Sequence, residues 1–136
     1  MHGAHVLQTP RTPPSLPFSE DAEKGVLASI LRSPTEVIAG VRDQVSKDSF
    51  YIPAHQIIYE LLLELSDKNK LIGFIILRDT LKDRGQIEEI GGGQYLDDLY
   101  RFLPTAGGFR HYAKIVQEKE HLRQVILRCG DIIGLA

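Results

Sequence analysis

Two stretches decide how this chain is read: Gly85-Gln-Ile-Glu-Glu-Ile-Gly-Gly-Gly-Gln-Tyr-Leu96 and Phe109-Arg-His-Tyr-Ala-Lys-Ile-Val-Gln-Glu-Lys119. The first is a glycine knot that opens a short apolar helix, with Tyr95, Leu96 and Leu99 at helical spacing up to Pro104. A phosphate-binding loop needs a preceding strand and a Gly-Lys-Ser/Thr ending, and Gly93 is followed instead by Gln94-Tyr95. The three glycines therefore read as a tight turn, since glycine alone takes positive φ without strain. After Gly107-Gly108 a long helix is predicted from Phe109 to about Ile133. Tyr112, Ile115 and Val116 give its first half one apolar stripe, and Gln117 to His121 is polar all round, as though the helix leaves its core there. Beyond it, Leu122, Val125, Ile126, Leu127, Cys129, Ile132, Ile133 and Leu135 return apolar character over much of the circumference.

A helix that apolar should be covered. At about 25 cal/mol per Å² of apolar surface, several exposed Leu and Ile side chains forgo several kcal/mol. Two readings follow: this half folds back on the rest of the chain, or it meets another chain or residues beyond Ala136. The second is preferred, and it makes Leu122, Val125, Ile126, Cys129 and Ile133 the candidate self-association face.

Upstream, the pattern is helical throughout. Four prolines among residues 1–17 predict a disordered leader. Ser19 is placed as an N-cap, with Glu20, Asp21 and Glu23 setting negative charge against the helix start. Ala22, Val26, Leu27, Ile30 and Leu31 carry that helix to about Arg32. Ser33-Pro34-Thr35-Glu36 has the form of a capping box, and Val37, Ile38, Val41 and Val45 make the stripe of a second helix. Phe50 and Tyr51 sit in a break before a helix over Pro53 to Ser66, expected to be the most buried. Phe74-Ile75-Ile76-Leu77 alone would also suit a strand. The charged run after it and the terminal Gly85 favour a fourth helix closed by Gly85 at C′. The fold class is all-α, a bundle of about six helices: a globular head over residues 18–116, then the first arm of a helical hairpin over 117–136.

The totals agree. A chain of 136 residues supports one core, and 43% hydrophobic with 25% charged residues is ordinary for a globular domain. A net charge of −2 speaks against a domain built to grip phosphates. A single cysteine asks for no oxidising compartment, no run spans a bilayer, and the cytoplasm is the expected location. No Cys-x-x-Cys or His-x-x-x-His spacing suggests a metal. His55, His111 and His121 are read as structural or solvated, and the neighbouring pairs Asp97-Asp98 and Glu88-Glu89 as solvated charges, because adjacent helical residues point about 100° apart. No catalytic, cofactor-binding or metal-binding residue is expected. The alternative function is a small helical nucleic-acid-binding domain, for which Arg101, Arg110, Lys114, Lys119, Arg123 and Arg128 are the candidates, interleaved with acids.

Five spaced motifs resemble a known family. They are Glu23-x-x-Val26-Leu27, Phe50-Tyr51-x-x-x-His55-x-x-Ile58-Tyr59, Leu77-x-x-x-Leu81-x-x-x-Gly85, Ile90-Gly91-Gly92-x-x-Tyr95-Leu96 and Tyr112-Ala113-x-Ile115-Val116-x-Glu118-Lys119. In this order they resemble the N-terminal domain of bacterial replicative DNA helicases of the DnaB type, from about Pro14 to the chain end. The resemblance implies a helical head followed by a hairpin through which domains pair into the collar of a hexameric ring. It implies docking of DNA primase and of a helicase loader, and weak or no direct DNA binding. ATP hydrolysis, with its ATP and Mg, would belong to a C-terminal domain. The family commonly has Pro-Ile-Asp where this chain has Leu71-Ile72-Gly73, and Asn in place of Gly108, so two helix starts lose a strong N-cap.

Overall fold

A computed structural model describes residues 16–102 and 108–132, Ile132 by its backbone alone. The predicted leader up to residue 15, Pro104 and Gly107 of the turn before the last helix, and Ile133 and Leu135 lie outside the described residues. Six α-helices follow in order: α1 (Glu20–Arg32), α2 (Pro34–Val41), α3 (Pro53–Asp67), α4 (Phe74–Asp83), α5 (Gly92–Tyr100) and α6 (Phe109–Ile132). A 3₁₀ turn, Lys47–Ser49, lies between α2 and α3, and the described residues contain no strand. The all-α expectation holds.

Local chemistry sets most of the boundaries. Ser19 caps α1 as expected, its hydroxyl accepting from the Ala22 N–H at 3.1 Å. Ser33 does not repeat this. It ends α1 and starts α2 at once, with ψ of 71°, and in that conformation its hydroxyl makes no cap bond. The expected capping box is therefore absent and Pro34 alone presets the first turn. α2 stops at Val41, so Val45 is buried from the following turn and not from the helix stripe. α4 closes on Gly85 at φ +69°, where the Gly85 N–H donates to Lys82 O (3.0 Å) and the Gln86 N–H to Leu81 O (2.8 Å), a Schellman pair. Gly91 and Gly92 follow at φ +109° and +87°, and that left-handed step turns the chain into α5, placing Leu96 fully in the core.

The hub is α1, where the sequence suggested α3. From Ala22 to Leu31 every residue of α1 except Lys24 is buried, and α2, α3, α5 and α6 all pack on it. Small residues make that possible. A side-chain carbon at Gly25 would stand 2.6 Å from the Tyr112 ring, and one at Gly40 of α2 would stand 2.8 Å from Phe109. Glycine at these two positions lets the first turns of α6 sit directly on α1 and α2. Deeper in, Phe50 stacks obliquely on Tyr59 at 4.8 Å, and the Tyr59 hydroxyl donates to Val45 O at 2.6 Å. Burial pushes that hydroxyl up to about 12. Arg32 closes the far end by donating to Tyr100 O at 2.9 Å, a cation placed on the last carbonyls of α5.

Candidate interaction face on the last helix

Buried residues of α6 recur as Phe109, Ala113, Val116 and Arg123, the four-, three- and seven-residue spacing of one helix face. Leu122, Val125, Ile126 and Cys129 occupy another. At 100° per residue the centre of this second set lies about 150° around the helix from the first. The set points away from the head, and Leu122, Val125 and Ile126 are 45%, 44% and 46% exposed. Cys129 is exposed too. The fifth predicted residue, Ile133, lies outside the described residues. Leu127, 55% exposed, belongs to the other side and lines a groove with Phe50, Tyr51 and Arg123. Among the described residues, nothing on the head covers the outward strip, so the fold-back reading is not the conformation seen.

The polar stretch after Val116 does not mark departure from the head. Gln117 accepts from Gln44 Nε2 at 3.1 Å, and Glu120 accepts from the Ser49 hydroxyl at 2.6 Å. One turn later Arg123, only 7% exposed, donates to Pro17 O at 3.0 Å and to Ser49 O at 2.8 Å. Its guanidinium also lies 5.4 Å from the Tyr51 ring centre, and Tyr51 stacks on Phe18 at 4.6 Å. Five polar residues read from sequence as solvated thus include two that bond to the head, and the helix keeps its grip for two further turns. Arg123 was grouped with the nucleic-acid candidates. Its burial removes it from any exposed basic face, and Arg101 pairs with Asp97 at 3.5 Å.

A buried polar joint fixes the head under this helix. Glu23 Oε2 accepts from the Tyr51 N–H (2.8 Å), and Oε1 accepts from the Ile52 N–H (3.3 Å) and bonds His55 Nδ1 (2.8 Å). His55 Nε2 meets the Tyr95 hydroxyl at 2.5 Å. Burial and the charges of Glu20 and Glu23 push that hydroxyl up to about 12. Carboxylate, imidazole and hydroxyl follow the order of an acid–base relay. Glu23 is 1% and His55 0% exposed, Tyr95 at the outer end is half-buried, and the three side chains join α1, α3 and α5. Sequence reading assigned Glu23 to the helix start; the signal for a joint was its pairing with a His two elements away, which no local pattern carries. His111 and His121 are exposed. No cluster of metal-ligating residues occurs among the described residues, and no described helix is long and apolar enough to cross a membrane.

Residues 15–118 match the family model described as the DnaB-like helicase N terminal domain. The chain is 34% identical over 116 residues to the replicative DNA helicase DnaB of Geobacillus stearothermophilus, covering 85% of this chain and 25% of that protein. It is likewise 34% identical over 110 residues to the replicative DNA helicase DnaC of Bacillus subtilis. It thus spans about a quarter of the length of these relatives. The crystal structure of the N-terminal domain of DnaB helicase from Mycobacterium tuberculosis superposes with a TM-score of 0.83 at 32% identity, covering 88% of this chain and 83% of that one. A structure described as a DnaB-like replicative helicase and its interactions with primase superposes at 0.74 and 26% identity, over 85% of this chain and 27% of that one. The helical head, the glycine turn and the outward-facing last helix belong to a chain that is a member of the DnaB-like helicase N-terminal domain family.

Proposed function

We propose that this chain is the protein-interaction and self-association domain of a replicative DNA helicase, and that it acts in DNA replication without performing the chemistry of unwinding. The observation that carries the reading is the strip Leu122, Val125, Ile126 and Cys129, exposed on the side of α6 away from its own core. A second helix, from the chain's own continuation or from another copy, covers that strip and builds the collar on a hexameric ring. Support comes from relatives named as replicative DNA helicases, and from the structural neighbour described with primase, which makes DNA primase the first partner to test and a helicase loader the next. ATP hydrolysis with Mg, and most contact with DNA, fall to a C-terminal domain, and this chain alone has no ATPase activity.

Sedimentation equilibrium of the wild-type chain and of Ile126→Asp tests the reading. The wild type shows concentration-dependent association; the variant sediments as a monomer with an unchanged melting curve. Equal association of the two would remove the strip from the interface.

A further inference from the structure

A second exposed apolar surface lies on the head, formed by elements other than the α6 strip. Leu71, between α3 and α4, is 78% exposed, and Ile75 and Ile76 at the start of α4 are 58% and 37% exposed. Leu71 stands on the wall between two grooves. One, of about 660 Å³, runs along Pro34, Ile38 and Ala39 to Arg42 and Lys70. The other, of about 320 Å³, is floored by Leu65 and Ile76 and edged by Glu64, Lys68, Lys70 and Arg84. Four basic side chains and one acid line the pair, in a chain whose net charge is −2. Glu64 is shared by Arg84 and Lys68, which hold its carboxyl down at about 2. Arg42 pairs with Asp67 at 2.9 Å, and Lys70 makes no ion pair among the described residues. The rim is positive and the ridge aliphatic. Neither groove is lined by an aromatic ring on which a base could stack.

We infer that this face of the head is a docking site for an amphipathic helix of a partner protein, its apolar side chains seated on either side of Leu71 and its flanks acidic. Charge complementarity selects the occupant: aliphatic anchors need an aliphatic counterpart, and the surplus of cations at the rim needs carboxylates. The site stands apart from self-association through α6, and its failure would leave that reading intact.

Fluorescence anisotropy on the full chain tests this with a labelled peptide of about 18 residues carrying leucines at i, i+4 and i+7 with glutamate flanks. A lysine-flanked twin and a single-stranded oligothymidine serve as the other probes. The glutamate peptide binds at least about tenfold tighter than the lysine twin, and its affinity falls with salt. Leu71→Glu weakens it about tenfold or more, Lys70→Glu weakens it less, and Ile126→Asp leaves it unchanged. Leu71 is exposed enough that its replacement keeps the melting curve of the wild type, which is the folding control. Equal or absent binding of the two peptides, or insensitivity to Leu71→Glu, overturns the inference. So does oligothymidine binding that Lys70→Glu and Leu71→Glu abolish, or a loss of self-association in Leu71→Glu, which would make a second copy the occupant.

Discussion

Ile30 in the middle of α1 and Ile126 near the end of α6 are the same side chain on helices of similar pattern. Ile30 is 0% exposed and Ile126 is 46% exposed. On the helix of Ile30, Gly25 admits the Tyr112 ring, and the Glu23 carboxylate accepts from two backbone N–H groups and bonds a histidine. Around Ile126 the helix has already used its other face, through Arg123, to hold the head. One region is closed by its own chain at a cost in glycine and buried charge. The other is left apolar on a side that nothing among the described residues covers. Hydrophobic content alone does not separate a core from an interface; the second face of the helix does.

Breaking the closed region has the largest effect. Glu23→Leu strands the Tyr51 and Ile52 N–H groups and the His55 ring, and is expected to cost about 4 kcal/mol in urea denaturation. A smaller loss belongs to Tyr59 at alkaline pH. Its hydroxyl ionises at 10.0 in the unfolded chain and near 12 in the fold, so its contribution is intact below pH 10 and is lost as pH rises toward 12. Melting curves across that range should fall by roughly 2 kcal/mol more than those of Tyr59→Phe. Gly25→Ala comes next. It gains roughly 1 kcal/mol of helix propensity but drives a carbon into the Tyr112 ring, for a net loss of about 1–2 kcal/mol by calorimetry. Ile126→Asp closes the series at less than about 0.5 kcal/mol in the isolated monomer. A large loss there would show that the strip is covered by its own chain and would erase the contrast with Ile30.

The helices themselves were legible from apolar residues at a 3.6-residue period, and the first four also from boundary signals at Ser19, Pro34, Pro53 and Gly85. The triple glycine was legible from what it lacks for phosphate binding, and the structure gives Gly91 and Gly92 the positive φ that a turn needs. The candidate strip was drawn from apolar character over much of the helix circumference, and Leu122, Val125 and Ile126 are exposed in the fold. Three things were not. Glu23 looks like any acid in a first helical turn until a chain segment 28 residues on places its N–H groups against it. Arg123 sits among polar neighbours, and its carbonyl partners come from Pro17 and Ser49, far away in sequence. The exposure of Leu71 and Ile75 is the third, because periodicity reports which face is apolar and never whether a neighbour reaches it.

The grip of Arg123 on Pro17 and Ser49 also makes α6 a cantilever. Beyond that point the helix runs nine residues to Ile132, an overhang of about 14 Å at 1.5 Å per residue. A tilt of about 10° at the anchor would sweep its free end by roughly 2.5 Å, enough to shift a packed side chain out of its hole. The direction in which the outward strip points is therefore set inside the head, by a guanidinium and two carbonyl oxygens.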